Sequence, residues 1–362
     1  MVDLHRQYLS IKSEIDEAIR SVLSTTDFIM GSAVSEFEAD FAAYLGVKHV
    51  VGCSSGTDAL QVALMALSIS RGDEVITSPF TFVATAETVA LLGAMPVYVD
   101  IDEKTYNLDV QQIADRTTSK TKAIIPVHLY GQPADLSPLL TLAEERGLKV
   151  IEDAAQAIGA CYRGRNVGTL GNIGCFSFFP SKNLGAYGDG GAMVTSDSAL
   201  AERCRMITLH GSKKRYQHEI LGVNSRLDTL QAAILKVKLR HLESWTEARI
   251  RIARCYDDQL KGLELATPYC VADVRHVYNQ YSIRTPRRDA LADFLKSQGV
   301  SHAIHYPMPL SLQPAFRHLV PQGIHFPIAE AVAREIISLP IFPEMQEHEI
   351  AAVTNAIRKF FA

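Results

Sequence analysis

No stretch of this sequence approaches the roughly 18 consecutive apolar residues that a membrane-crossing helix needs. The first 24 residues scatter Asp3, Arg6, Lys12, Glu14, Asp16 and Arg20 among their apolar positions. That removes the unbroken apolar core of a signal peptide, so the cytoplasm is the expected compartment. Six cysteines (Cys53, Cys161, Cys175, Cys204, Cys255, Cys270) include no Cys-x-x-Cys pair and no neighbouring histidines at zinc spacing. They read as free thiols in a reducing environment, with no metal expected. The dinucleotide fingerprint Gly-x-Gly-x-x-Gly is absent. Charge of one sign is also scarce: 36 Lys and Arg face 40 Asp and Glu, a net charge of −4. A nucleic-acid or membrane-surface partner is therefore not expected. No internal repeat or low-complexity segment is visible.

What the chain does have is length and apolar content. Its 362 residues, 47% of them apolar, can build a large core in more than one domain. From about residue 48 to 195, short β-branched runs alternate with helical stretches. Strands are predicted at 49–52, 74–77, 96–100, 122–128, 149–152, 174–179 and 191–195, with helices at 57–67, 83–92 and 138–146. This alternation predicts an α/β fold with a mostly parallel sheet. Such sheets bind ligands at the carboxyl ends of their strands. A helical period runs through 225–260, and beyond it short elements with frequent proline suggest a second, smaller domain. An amphipathic helix, roughly 9–23, is expected to pack near that domain.

Five segments that follow strands carry candidate chemistry. In Cys53-Ser54-Ser55-Gly56-Thr57-Asp58, small residues lead straight into a helix. Free N–H groups there, with the Thr57 hydroxyl, suit a phosphate; a simple N-cap reads equally well. Phe82 follows a strand and can stack on a planar ring, or be core. Asp153 closes an apolar strand; it can pair with a buried cation such as a protonated pyridine nitrogen, or cap a helix. Lys182, in Phe178-Phe179-Pro180-Ser181-Lys182, offers a primary amine beside an apolar strand. Desolvation would make it a neutral nucleophile able to form an imine and to move protons; a surface lysine is the plain alternative. Gly188-Asp189-Gly190-Gly191 allows close approach of backbone to a ligand. Asn224 and Arg226 stand before a helix, as ligand contacts or as caps. A phosphate cup, a ring stacker, a pyridinium partner and an imine lysine together point to pyridoxal phosphate as cofactor.

The motifs Ser55-Gly-Thr-Asp-Ala-Leu60, Glu152-Asp-Ala-Ala-Gln156, Phe178-Phe-Pro-Ser-Lys182, Gly188-Asp-Gly-Gly191 and Asn224-Ser-Arg-Leu-Asp228 resemble the DegT/DnrJ/StrS family of nucleotide-sugar aminotransferases along nearly the whole chain. The resemblance implies an aspartate-aminotransferase-like fold and a homodimer with shared active sites. On that fold the chain would divide into an N-terminal helix (1–24), a large cofactor domain (25–240) and a small α+β domain (241–362). It implies that Lys182 carries the cofactor and transfers protons, Asp153 pairs with the pyridine nitrogen, and Gln156 lies near the ring hydroxyl. Phe82 would stack on the ring, Gly56, Thr57 and Ser177 would hold the phosphate, and Asn224 would reach the neighbouring subunit's phosphate. Relatives with histidine in place of this lysine run dehydrations, which Lys182 argues against. Longer stretches, among them Phe82–Gly93 and His305-Tyr-Pro-Met-Pro-Leu310, are most similar to enzymes that aminate the 3-keto group of UDP-2-acetamido-2-deoxy-3-oxo-glucuronate, with L-glutamate as donor. Tyr187, His305 and Tyr306 would face the sugar. Arg226 would meet the uronate carboxylate or serve glutamate, and Arg215, with Lys213 and Lys214, would meet the pyrophosphate or lie on a solvated loop. The expected alternatives are a neutral 3-keto or a 4-keto nucleotide sugar and, remotely, a non-enzymatic cofactor-binding regulator.

Overall fold

The computed structural model describes residues 1–362. At its centre is a seven-stranded sheet: β1 (His49–Cys53), β2 (Glu74–Thr77), β3 (Met95–Tyr98), β4 (Thr121–Ile125), β5 (Lys149–Asp153), β6 (Ile173–Ser177) and β7 (Gly191–Thr195). The spatial order is β1-β7-β6-β5-β4-β2-β3. From β3 through β2, β4 and β5 to β6 the neighbours run parallel. Strand β7 alone runs against both its neighbours. Every residue of β6 and β7 is buried, which is why these strands read as continuous apolar runs rather than alternating ones.

Helices cover both faces. On one, Phe37 and Phe41 of α3 (Ser32–Leu45) pack with Phe176 and Phe178 and with Ala232 and Leu235 of α8 (Thr229–Leu239). Each fully buried phenylalanine contributes about 1.5–3 kcal/mol. On the other face, α4 (Gly56–Ala66) and α7 (Ser198–Thr208) cover Val51, Ile151, Ile173 and Met193. Also on the large sheet lie α5 (Ala84–Leu91) and α6 (Leu136–Arg146). A separate core joins α9 (Leu242–Leu260), α10 (Arg288–Ser297) and α12 (Glu347–Phe361) to the antiparallel pair Tyr281–Arg284 and Ile336–Leu339; α11 (Pro327–Glu335) leads into the second of those strands. No helix is long and apolar enough to cross a membrane.

The strands at 74–77 and 191–195 are those the sequence pattern predicts. Strand β4 stops at Ile125, short of the predicted His128. Pro126 has no N–H for the ladder, and the chain then turns through Tyr130 at φ 58°. The predicted N-terminal helix is two, α1 (Leu4–Ser10) and α2 (Lys12–Thr25), broken at Ile11. Ile15 of α2 meets Ile234, Val237 and Trp245, so α2 lies on α8 rather than beside the C-terminal core. Only the first residues reach that core, through Val2 and the Arg6–Glu349 ion pair at 2.8 Å. The single helical period over 225–260 is likewise two helices, α8 and α9, which meet at Arg240 and His241.

Candidate active site

The carboxyl ends of β1 and β6 and the start of β7 meet at one point. Ser55 caps α4, its Oγ accepting the Asp58 N–H at 3.1 Å. The helix start leaves the Gly56 and Thr57 N–H groups without intrahelical acceptors, under the positive end of the dipole. Gly56 lies so close to β6 that a Cβ there would stand 2.6 Å from the Ser177 Cβ. One at Gly191 would stand 2.3 Å from the Ser55 carbonyl oxygen. Only glycine allows this convergence. The Ser177 hydroxyl, which accepts the Phe179 N–H at 3.3 Å, borders the same cup. Residues 224–226 reach it through Ser225, whose Oγ is 3.0 Å from the Ser54 Oγ and accepts the Ser54 N–H at 3.3 Å. Asn224 itself is exposed, joined to Leu209 by a backbone bridge. Arg226, part-exposed, has no ion pair within the chain.

Asp153 ends β5, 5% exposed. Its Oδ2 accepts the Thr85 hydroxyl at 2.8 Å and its Oδ1 the Ala155 N–H at 3.2 Å. Burial raises its pKa, against the pull of these donors and of the nearby Lys182 charge. The adjacent Glu152 faces the opposite side, as strand geometry requires. It accepts the Gly168, Leu170 and Gly171 N–H groups at 2.6–2.7 Å and lies 3.0 Å from the His128 Nε2. The His128 Nδ1 accepts the Ala134 N–H, so the ring proton sits on Nε2 and is donated to Glu152. Burial pushes Glu152 upward, but His128 and the Gly171 and Gly168 N–H groups outweigh it and hold the carboxyl below the usual range. Glu152 is thus closed off by four protein donors, whereas Asp153 has one donor on each oxygen and lies near the Lys182 charge.

Lys182 is partly accessible, yet its surroundings are protein enough that desolvation brings its ammonium down to about 8, with Asp153 pulling the other way. Roughly a tenth of such an amine is neutral at pH 7, against well under a thousandth of an ordinary lysine. The loop that carries it folds back on β6: the Lys182 N–H bonds to the Phe179 carbonyl at 2.9 Å and the Ala186 N–H to the Phe178 carbonyl at 2.7 Å.

Aromatic residues close one side. The Gln156 Oε1 accepts the Tyr130 N–H at 2.7 Å while its Nε2 donates to the Tyr306 hydroxyl at 3.0 Å. The Tyr130 hydroxyl donates to the His305 carbonyl. The Phe82 ring, 53% exposed, lies 6.4 Å from that of Tyr306. His305 stands 2.9 Å from the Ser338 Oγ. Burial and the Lys182 charge lower its pKa, so the imidazole is neutral near pH 7.

Lys182, Asp153, Gln156, Phe82, His305 and Tyr306 are therefore gathered together, with Gly56, Thr57 and Ser177 forming the cup. Tyr187 lies further along the Lys182 loop, its ring edge against Tyr8 at 6.2 Å. Arg215 stands apart on an exposed hairpin (212–218) over the Tyr216 ring, and Lys213 pairs with Glu202 at 2.7 Å. A cleft of about 700 Å³ lined by Asp102, Asn107, Arg163 and Tyr269 shares no residue with the cluster. Thr85, Tyr130, His128 and Glu152 escaped the sequence reading as site residues. Thr85 and Tyr130 carried no signal, whereas Glu152, one position before Asp153 in the motif, could have been weighed as its opposite-facing neighbour.

An amine with a lowered pKa, a buried acid beside it, an anion cup of glycine and hydroxyls and an exposed aromatic face fit pyridoxal phosphate in charge and chemistry. The comparisons agree. The profile of the DegT/DnrJ/EryC1/StrS aminotransferase family matches residues 9–358. The chain is 50% identical to the pleiotropic regulatory protein of Geobacillus stearothermophilus, over 100% of this chain and 98% of that one. It is 48% identical to the UDP-2-acetamido-2-deoxy-3-oxo-D-glucuronate aminotransferase of Pseudomonas aeruginosa (98% and 99% covered). It is 47% identical to the UDP-N-acetyl-3-dehydro-alpha-D-glucosamine 3-aminotransferase of Acidithiobacillus ferrooxidans (99% and 97%). The crystal structure of S. venezuelae DesV in complex with a ketimine intermediate superimposes with a TM-score of 0.97 at 43% identity, covering 99% of this chain and 97% of that one. With the fold, the amine and the acid in place, the chain belongs to the DegT/DnrJ/EryC1/StrS aminotransferase family and is a pyridoxal-phosphate-dependent aminotransferase.

Proposed function

We propose that this aminotransferase moves the amino group of L-glutamate to the 3-keto carbon of a nucleotide-linked sugar, UDP-2-acetamido-2-deoxy-3-oxo-D-glucuronate before others, for a cytoplasmic step in surface polysaccharide synthesis. When bound, pyridoxal phosphate supplies an aldehyde that condenses with amines and a ring that takes up the electron pair left at the amine-bearing carbon. The chain's residues do the rest. Lys182 holds the cofactor, then moves the proton between carbon centres in both half-reactions. Asp153, kept in place by Thr85, holds the proton on the ring nitrogen. Gly56, Thr57 and Ser177 bind the phosphate, Phe82 covers the ring, and Gln156 orients Tyr306 toward the sugar beside His305 and Tyr187.

The observation that carries the chemistry is the depressed Lys182 amine beside the buried Asp153. The same pair would hold the cofactor in a protein without catalysis; it is the family match and the aminotransferase relatives that favour an enzyme over a regulator. For the substrate, the reading rests on the two relatives whose names specify UDP-linked 3-oxo sugars and on Arg226, a guanidinium free to take a carboxylate bidentately. Arg215 is assigned to the pyrophosphate. The neutral UDP-3-oxo sugar is the second reading, supported by the 47% relative. A shared site in a homodimer, with Asn224 reaching across, is supported by exposed apolar side chains near it: Phe28, Ile29, Met30, Phe179 and Leu221. The division into 1–24, 25–240 and 241–362 is kept as part of this reading, supported by the separate core around α9 and α12.

The test is a substrate panel: UDP-3-oxo sugars with and without the uronate carboxylate, and a dTDP-3-oxo-6-deoxy sugar, each with glutamate. Preference for the uronate that disappears in Arg226→Leu supports the first reading. Equal turnover of the uronate and neutral UDP sugars, unchanged in that variant, replaces it with the second.

A further inference from the structure

Lys238 is buried at 1% exposure, and nothing proposed above uses it. A cation in the core is costly unless its donors are met; methionine would fill the same space without that cost. Its ammonium donates to the Gly185 carbonyl at 2.5 Å and lies 5.0 Å from the centre of the Tyr187 ring and 5.9 Å from that of Trp245. Gly185 and Tyr187 both belong to the loop that begins at Lys182. That loop is tightly wound: a Cβ on Gly185 would stand 2.3 Å from the Pro180 carbonyl oxygen. The carbonyl Lys238 takes thus belongs to the close-wound turn that presents the Lys182 amine. Two turns earlier on the same face of α8, the Gln231 Oε1 accepts the Tyr187 N–H at 2.8 Å. The Glu344 charge acts on both Lys238 and the buried Arg249, partly offsetting the burial of each cation.

We infer that Lys238 is a positioning residue, which with Gln231 clamps the 182–187 loop to α8 and so fixes the direction of the Lys182 amine and of the Tyr187 ring. The inference rests on the reading of Lys182 as the cofactor-bearing and proton-moving residue. It adds a side chain that touches neither cofactor nor substrate but holds the backbone both depend on. A clamp of this kind acts on the chemical step rather than on binding. Loss of it lets the amine wander from the attack geometry, where displacements on the order of 1 Å cost about 10²-fold in rate, while the phosphate cup at Gly56 and Ser177 is left intact.

The experiment compares holoenzymes of wild type, Lys238→Met and Lys238→Arg. Three quantities are read: cofactor content, the fraction of cofactor fixed to Lys182 by borohydride, and the single-turnover rate with glutamate. Lys238→Met is expected to bind cofactor within threefold of wild type, to lower the fixed fraction at least twofold and to slow the single turnover at least tenfold. Its half-saturation for glutamate should change under threefold. Lys238→Arg, which can still donate to the Gly185 carbonyl, should recover at least a third of the wild-type rate. If Lys238→Met does not fold, Gln231→Leu, which releases the other end of the clamp, should slow the same step about threefold. An unchanged fixed fraction and rate in Lys238→Met, or in Gln231→Leu where that variant is the one measured, overturns the inference. A wild-type protein that shows no cofactor fixed to Lys182 would instead defeat the underlying reading.

Discussion

The Gln156 amide stands between Tyr130 and Tyr306, accepting the backbone N–H of the first at 2.7 Å and donating to the hydroxyl of the second at 3.0 Å. Because Gln156 is the donor in that contact, the Tyr306 proton is free to point elsewhere, into the space beside Phe82. The hydroxyl is thus poised as a donor to a bound sugar. Tyr306→Phe removes it while keeping the ring. We expect kcat/KM for the keto sugar to fall about tenfold, the worth of roughly one hydrogen bond to a polar partner, with the glutamate half-reaction within twofold of wild type. Single-turnover kinetics of each half separately would check this; equal losses in both halves would contradict a role confined to the sugar.

Asp153→Asn keeps the shape and the Thr85 contact but removes the charge. The ring nitrogen then loses about 1–3 pKa units of support, and both half-reactions should slow by roughly 10- to 10³-fold with cofactor still bound. Thr85→Val gives a milder, directional effect. The Thr85 hydroxyl stabilises the ionised carboxylate, so its loss moves the already raised Asp153 pKa further up. Since activity needs the ionised form, the acid limb of the kcat profile should shift to higher pH. A profile unmoved or shifted down would contradict the pairing.

Lys182 makes a stability prediction of the opposite kind. Its folded-state pKa of about 8 lies below the ordinary 10.5, so between these values the unfolded chain holds more protons than the folded one. Stability of the cofactor-free protein should therefore rise with pH through that window on account of this residue. At pH 7 both states are protonated and the cost of burying the charge is fully present. Lys182→Met should melt higher than cofactor-free wild type at pH 7, and the gap should shrink toward pH 10. Calorimetry of both proteins at the two pH values decides it.

Much of this was legible beforehand because the catalytic side chains sit at strand ends, and strands buried on both faces announce themselves as apolar runs. Strand β7 and the Asp153 position at the end of β5 follow directly. What was not legible depends on partners distant along the chain. Thr85 meets Asp153 across 68 residues and Gln156 meets Tyr306 across 150; neither pairing leaves a period or a spacing. The break at Ile11 and the early end of β4 at Pro126 are local, but Ile11 and Ile15 pack together against Ile234, Val237 and Trp245, a contact that periodicity alone does not reveal.

Glu152 illustrates a structural carboxylate next to a chemical one. Glu152→Ala would leave the buried Gly168 N–H, the part-buried Leu170 and Gly171 N–H groups and the buried His128 ring without their acceptor, at about 1–3 kcal/mol for each buried group. We expect this variant to lower the melting temperature by more than 10 °C or to be insoluble, whereas Glu152→Gln, which retains one acceptor oxygen, should lose less. A melting curve for Glu152→Ala superimposable on wild type would show that the turn at 168–171 does not depend on this anchor.

The central claim is that Lys182 and Asp153 run an amino transfer on pyridoxal phosphate with glutamate as donor. The visible absorption spectrum of the purified protein, recorded with added cofactor before and after glutamate, tests it most directly. The account predicts a yellow band that bleaches on glutamate and returns when a 3-oxo nucleotide sugar is supplied, and no such band in Lys182→Ala. A band indifferent to glutamate, or one that Lys182→Ala retains and cycles, would contradict it.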